Sequence, residues 1–385
     1  MKPYQLNIPA KIYFGRDIWE DAIRDIASFL NGNVMIVTTG RSLMRLGYIE
    51  NLKRQIVQCG NTKNIVVFDK VSSNPRLSEV REGVQLAKES SIDVIVGFGG
   101  GSAIDMAKAV AAGAGVSEDI GEYFYNDREP MENVLPVVAI PTTAGTGSEL
   151  SKAAIITDDE KKIKSGIRGR KLYPKIAIVD SIFTESVPLN ITMETGFDVL
   201  AHAIESYISK AASPYTQMQS EYAVQIVGEM LPRLTLDIND IDARNYMSYA
   251  SMIMGINLGN AGTGLPHRLQ YPLGALTDIS HGLGLAALYP AWIDYEYKYS
   301  KEKLKKIMGI LIGKNICSRD DCTSTMFAFL EFLNLPTSLQ MLNIEMGMEQ
   351  IDEMAGAVSG NLLNDPASQE DDIITKIYTK AWVGI

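Results

Sequence analysis

Val94-Ile95-Val96-Gly97-Phe98-Gly99-Gly100-Gly101-Ser102-Ala103-Ile104-Asp105-Met106-Ala107-Lys108 is the stretch on which the fold turns. A β-branched run passes through a glycine turn into a segment with helical periodicity, which reads as strand, tight turn and helix start. Four glycines in five positions leave the backbone N–H groups unshielded. The positive end of the following helix adds to them, and the combination is an anion site. It is not the dinucleotide fingerprint G-x-G-x-x-G with an acid ~20 residues on. Taken alone, it is equally a tight βα turn without a ligand.

The flanking sequence repeats the pattern. Runs at 33–39 (ending at Gly40), 63–68, 136–140 and 176–180 have the β-branched, apolar character of buried parallel strands. Amphipathic segments lie between them, such as 77–90 with Val80, Val84 and Ala87 on one face. Strands alternating with helices predict a parallel sheet covered on both sides. A second loop, Ile140-Pro141-Thr142-Thr143-Ala144-Gly145-Thr146-Gly147-Ser148-Glu149, also leaves a strand and offers hydroxyls and bare backbone. Both loops belong at the carboxyl edge of the sheet, where open α/β folds bind ligands. Together they favour a nucleotide diphosphate.

After about residue 185, helical periodicities take over, at 195–210, 215–234, 243–258, 301–312, 323–333 and 348–357. The expectation is an α/β nucleotide-binding domain with a parallel sheet over 1–184, followed by an all-helical domain over 185–385. Length and composition agree: 385 residues suit two domains, and 46% hydrophobic residues supply their cores. Acidic side chains outnumber basic ones 46 to 36, which argues against nucleic acid as a partner. No stretch is apolar enough to span a bilayer. The opening residues lack the apolar core of a signal peptide, so a cytoplasmic location is expected. Cys59, Cys317 and Cys322 do not form CxxC and read as reduced thiols.

Only three histidines occur in the chain. Within Phe197-Asp198-Val199-Leu200-Ala201-His202-Ala203-Ile204-Glu205, Asp198 and His202 are four apart and lie one turn above the other on a helix. His267 and His281 fall in glycine- and proline-punctuated segments, where core packing gives no reason for imidazole. One Asp and three His are the ligands a borderline divalent metal takes, Fe²⁺ or Zn²⁺. The alternative is three unrelated structural histidines.

With these motifs quoted, the chain resembles the iron-containing (group III) alcohol dehydrogenases, from Pro9-Ala10-Lys11-Ile12-Tyr13-Phe14-Gly15 to Lys380-Ala381-Trp382. The glycine loop, the Pro141–Glu149 loop and the Asp198–Glu205 helix are the specific matches. The resemblance implies NAD(P) and a metal facing each other across a cleft between two domains, a small aldehyde or alcohol as substrate, and a homodimer. It makes Asp198, His202, His267 and His281 the metal ligands, with Fe²⁺ expected and Zn²⁺ as the alternative ion. It makes Asn74, Gly99, Gly100, Gly101, Ser102, Asp105, Thr142, Thr143, Thr146 and Lys164 the coenzyme contacts, together with Thr39, Gly40, Arg41 and Ser42 after the first strand.

Two departures from the family pattern matter. An acid often ends the first strand to receive the adenosine 2′-hydroxyl; here Thr39 is followed by Gly40-Arg41-Ser42. A hydroxyl, bare backbone and a cation accommodate a 2′-phosphate, so NADP(H) is expected over NAD(H). Near the metal, a further histidine common in the family is replaced by Tyr271, and the residue after the third ligand is Arg268. Tyr271, Arg268 and Lys152 are the expected catalytic side chains; the proton is expected to pass through the coenzyme ribose, water or Tyr271, and the alternative for Tyr271 is a space-filling role. The two cations favour an anionic aldehyde, such as a phosphonoacetaldehyde- or semialdehyde-like compound. Rival readings are a dehydroquinate-synthase-like lyase, a glycerol-phosphate-type dehydrogenase and a non-catalytic nucleotide-binding protein.

Overall fold

The computed structural model describes residues 3–39, 41–60, 62–130, 133–344 and 346–384; of Arg41 only the backbone is described. Two compact units result: Ile8–Val187 forms one, and the segment up to Asn7 with the chain from Pro188 onward forms the other.

The first unit holds β1 (Lys11–Gly15), β2 (Gly32–Val37), β3 (Thr62–Phe68), β4 (Val94–Gly99), β5 (Val137–Pro141), β6 (Ala153–Asp158), β7 (Ile163–Arg168) and β8 (Ile176–Asp180). Six of them form a parallel sheet in the order β1-β8-β5-β4-β2-β3. Alternation along the strands feeds two cores. Met35, Val37 and Ile95 face the helices Leu77–Glu89 and Gly101–Gly115, while Val34, Ile36, Val96 and Phe98 face Ile23, Ile49 and Leu52 on the other side. A strand buried on both faces shows no polar alternation, which is why these runs read as unbroken apolar stretches.

The chain runs outward from β2 to β3 and returns to place β4 on β2's other side. The carboxyl ends of β2 and β4 therefore flank a topological switch point, where such sheets bind ligands. β4 and β5 are adjacent, with Gly99 opposite Pro141, so the two glycine loops leave the sheet side by side.

β6 and β7 form a separate antiparallel hairpin. The sequence expectation missed it, because Asp159-Glu160-Lys161-Lys162 reads as a solvated charge run. It is instead the connecting turn, with Lys162 at φ 54°.

The second unit is helical: Leu189–Ile208, Pro214–Leu236, Ile241–Asn260, Leu265–Thr277, His281–Ile312, Arg319–Phe332 and shorter pieces. His267 and His281, in their glycine- and proline-punctuated segments, each stand in the first turn of a helix. Pro266 is accommodated because a first-turn residue has no intrahelical partner for its N–H. The helix expected at 301–312 forms as expected, set off by a kink at Ser300 (φ −130°, ψ 29°) from the helix that starts at His281. Among the described residues, no helix is long and apolar enough to cross a membrane.

Candidate active site

In the α/β unit, the ends of β2, β4 and β5 converge. A Cβ on Gly99 would stand 3.9 Å from Thr39 Oγ1, one on Gly100 3.4 Å from Thr143 Oγ1, and one on Gly101 2.6 Å from Thr146 Oγ1. Thr39, Thr143 and Thr146 thus close around the glycine loop, and glycine is required at 101 by the approach of the second loop. The loop opens the helix Gly101–Gly115, whose N-cap Gly100 supplies no side-chain cap. Its first N–H groups are the donors a diphosphate would take. Thr142 N–H donates to Gly99 O at 2.9 Å, fixing the two loops at their bases. Ser102 Oγ donates to Ser73 O at 2.5 Å, and buried Lys164 donates to buried Asn74 Oδ1 at 2.8 Å, so the Ser73-Asn74 turn joins the same cluster. Gly40 and the Arg41 side chain lie outside the described residues, and Ser42 is exposed.

Asp105 faces inward. It accepts from Ser148 Oγ and from Ile155 N–H at 2.9 Å, and pairs with Lys108 at 3.0 Å. Its contacts are to the second loop and β6 rather than to the loop's open side. Lys108, fully buried, also donates to Ser148 O (3.0 Å), Ser148 Oγ (2.6 Å), Ser151 Oγ (3.2 Å) and Ala153 O. Sequence reading passed over Lys108, since a helical lysine near a glycine loop ordinarily points to solvent.

In the helical unit, the helix Leu189–Ile208 places Asp198 and His202 on one face. Asp198 Oδ1 lies 3.7 Å from His202 Nε2, 3.4 Å from His267 Nε2 and 3.7 Å from His281 Nε2. The His202 and His267 rings stack at 4.5 Å, and the His267 and His281 centroids are 5.2 Å apart. Ligand atoms of Asp198, His267 and His281 fall within 4.8 Å of one another. Asp198 Oδ1 and His267 Nε2 are both buried and have no hydrogen-bond partner. A buried carboxylate oxygen and a buried imidazole nitrogen facing each other unbonded is costly in a protein interior and is resolved by a shared cation. The residues therefore fit a divalent metal, and the donor set suits Fe²⁺ or Zn²⁺.

Partners behind the ligands fix their orientation. Glu205 holds His267 Nδ1 at 2.8 and 2.9 Å and also accepts Gly264 N–H at 2.6 Å; Gln270 Oε1 meets His281 Nδ1 at 2.6 Å. Holding each Nδ1 directs the Nε2 lone pair toward Asp198. Burial alone would strip the His267 proton, but Glu205 and Asp198 outweigh it and lift its pKa to about 10. Burial likewise opposes ionisation of Asp198, and His202 and His281 nevertheless hold it well below the usual carboxylate range. The field at this point favours a cation. Glu205 was legible as the continuation of the 198–202 stripe, seven residues past Asp198. Gln270, one turn past His267, gave no chemical signal.

Arg268 donates to Thr263 Oγ1 at 3.1 Å and lies over the Tyr271 ring at 5.4 Å. Its Nε is buried without a hydrogen-bond partner, and it makes no ion pair among the described residues. Tyr271 is buried on the same helix. Lys152 belongs to the α/β unit and has an exposed side chain.

Comparison with known proteins gives two family matches that together span nearly all of the chain: Iron-containing alcohol dehydrogenase over residues 9–181 and Fe-containing alcohol dehydrogenase family, C-terminal, over 192–382. The NAD-dependent methanol dehydrogenase of Bacillus methanolicus is 32% identical over 350 residues, covering 90% of each chain. The structure superposes on an archaeal halo-thermophilic alcohol dehydrogenase from a Red Sea brine pool with a TM-score of 0.92, at 27% identity over 99% of this chain and 100% of that one. A sulfoacetaldehyde reductase of Bifidobacterium kashiwanohense, solved with NAD⁺, follows with a TM-score of 0.86 and 26% identity over 99% of both chains. These matches favour a dehydrogenase over the lyase reading, and by them the chain belongs to the iron-containing alcohol dehydrogenase family.

Proposed function

We propose that the chain interconverts a small aldehyde and its alcohol by hydride exchange with a nicotinamide coenzyme, at a divalent metal held by Asp198, His202, His267 and His281. The observation that carries this reading is the unbonded Asp198 Oδ1 facing three imidazole nitrogens at 3.4–3.7 Å. A metal bound there supplies Lewis acidity toward the reacting oxygen, and the nicotinamide supplies or takes up hydride.

The chain's own residues provide position and charge. The Gly99–Gly101 backbone, with Thr142, Thr143 and Thr146, takes the diphosphate, while Asn74 and Lys164 border it. Glu205 and Gln270 hold the imidazole rings. Tyr271 Oη, one helical turn from His267, is the proposed proton donor to the alcohol oxygen, since no fourth histidine exists to serve. Arg268, which pairs with no carboxylate among the described residues, would receive an anionic substituent on the aldehyde, such as a phosphonate, carboxylate or sulfonate. The sulfoacetaldehyde reductase neighbour supports this substrate class. Lys152 is assigned the same role in the second rank. For the coenzyme, the relatives whose names specify one name NAD or NADH. NAD(H) therefore replaces the NADP(H) preference expected from Thr39, Gly40 and Arg41.

The test is an oxidation screen of NADH and NADPH over anionic and neutral aldehydes, with Fe²⁺ or Zn²⁺ supplied, repeated on Arg268→Ala. A lost charged hydrogen bond is worth about 1.5–3 kcal/mol. Arg268→Ala should therefore lose roughly 10- to 100-fold more kcat/KM on anionic than on neutral aldehydes. Equal losses on both classes rule out the anionic assignment. Lys152→Ala is scored by the same ratio.

A further inference from the structure

Two fully buried acids, Glu296 on the helix His281–Ile312 and Asp365 just before the turn Pro366–Gln369, lie outside the ligand set, at 0% and 1% exposure. The Ala367 N–H is shared between them, at 3.0 Å from Glu296 Oε2 and 2.9 Å from Asp365 Oδ1. One N–H serving both places the carboxyl groups side by side. Two ionised carboxylates cannot share such a site away from water, whereas one proton between them satisfies both.

The donors around each acid decide which holds the charge. Asp365 receives three N–H groups: Leu265 N at 2.8 Å, Trp292 Nε1 at 3.1 Å and Ala367 N. Glu296 receives the shared Ala367 N–H and the Ser300 hydroxyl. Burial raises both carboxyls, and the acid with more N–H donors is the better anion, which assigns the charge to Asp365 and the proton to Glu296. Burial and the neighbouring Asp365 charge push the Glu296 carboxyl up to about 9, in keeping with this order.

Leu265 is the first residue of the helix that carries His267, and its N-cap, Gly264, has no side chain to satisfy the exposed N–H groups. Two carboxylates from elsewhere do so instead, Glu205 at Gly264 N (2.6 Å) and Asp365 at Leu265 N. A Cβ on Gly264 would stand 2.5 Å from Asp365 Oδ2, so glycine is what lets the acid reach the helix end. We propose that Glu296 and Asp365 form a proton-sharing pair of positioning residues that fixes the first turn of the Leu265–Thr277 helix and thereby places His267 for metal binding. This rests on the reading of His267 as a ligand. Glu205 sets the ring from its Nδ1 side, and the acid pair sets the backbone two residues before it.

The test is chelator-competition titration of the metal-stripped full chain with Zn²⁺ and, anaerobically, Fe²⁺. Thermal unfolding followed by circular dichroism, in which the helical unit dominates the signal, serves as the check that each variant is folded. Partners behind a ligand are worth about 10- to 100-fold in metal affinity, and a loss of that size is expected for Asp365→Asn. Glu296→Gln keeps a neutral group that can both donate to Asp365 and accept from Ala367 N–H. It should bind within about threefold of the wild type, while Glu296→Leu falls with Asp365→Asn. Should Asp365→Asn fail to fold, the contrast between Glu296→Gln and Glu296→Leu decides the matter. Wild-type binding matched by Asp365→Asn overturns this inference alone, as does a Glu296→Gln variant as weak as Glu296→Leu. A wild-type chain that binds neither ion overturns the metal reading and this inference with it.

Discussion

Replacing Lys108 by Met leaves the side chain's length nearly unchanged and removes its charge. Lys108 Nζ is the point at which the first glycine loop's helix is tied to the second loop: it meets Asp105, both oxygens of Ser148, Ser151 Oγ and Ala153 O. The substitution strands the Asp105 carboxylate beside acceptors that also lose their donor. Removing one partner of a buried ion pair costs about 3–5 kcal/mol. Part of that is offset, because burial already opposes the charged lysine and draws its pKa down. We therefore place the loss near the lower end, at roughly 3 kcal/mol. For a unit of this size, 1 kcal/mol moves the melting temperature by about 2–4 °C, so the α/β unit should melt roughly 6–12 °C lower. Because the tie sets the spacing of the two loops, NADH should bind at least ~10-fold more weakly, with metal content unchanged. Thermal unfolding and NADH fluorescence titration read the two effects. Lys108→Met combined with Asp105→Leu should cost less than the sum of the singles by about 1.5 kcal/mol or more, since the stranded charge is gone. A single variant within about 1 kcal/mol of wild type refutes the energetic reasoning. A destabilised variant with unchanged NADH affinity refutes the positioning role.

Two further outcomes follow from the same geometry. Burial pushes the Glu149 carboxyl from its ordinary 4.5 up to about 7, with only partial relief from Lys108. Between those values the folded chain holds a proton that the unfolded chain has released, so stability from this group is full below pH 4.5 and falls as pH rises to 7. The change is on the order of 3 kcal/mol, and urea midpoints across that range should fall in the wild type relative to Glu149→Gln; parallel curves would refute it. In the helical unit, a Cβ on Gly282 would stand 2.6 Å from the Glu194 carbonyl oxygen. Gly282→Ala should push His281 out of place and weaken metal binding by about tenfold or more in the same chelator titration, whereas unchanged affinity would show that the first turn can shift without cost.

The strands of the sheet were legible because β2, β4 and β5 are buried on both faces and contain no polar interruption. The hairpin β6–β7 was not, since more than half its strand residues are charged or small, and β6 is also held from outside by Thr157 N–H on Pro75 O and Ile155 N–H on Asp105. Asp198 and His202 were readable from their spacing on one helix. His267 and His281 could be grouped with them by scarcity, but their helical setting was hidden by Pro266 and the flanking glycines. The residues that position the two sites from a distance were the least legible. Asp365 acts on Leu265 from 100 positions away, and Lys108 acts through loops 40 and more residues on; no local periodicity records such contacts. Glu205 is the exception, because it shares a helix with Asp198 and His202, although the ring it holds is that of His267 on another helix.

Asp198 and the three histidines are proposed to hold the ion on which aldehyde reduction depends. The most direct measurement is anaerobic titration of the metal-stripped chain with Fe²⁺, following bound metal and aldehyde-dependent NADH oxidation in the same samples. Both should rise together to a plateau at a single ion per chain, and both should be lost in Asp198→Asn. Full NADH oxidation by the stripped chain in excess chelator would contradict the account.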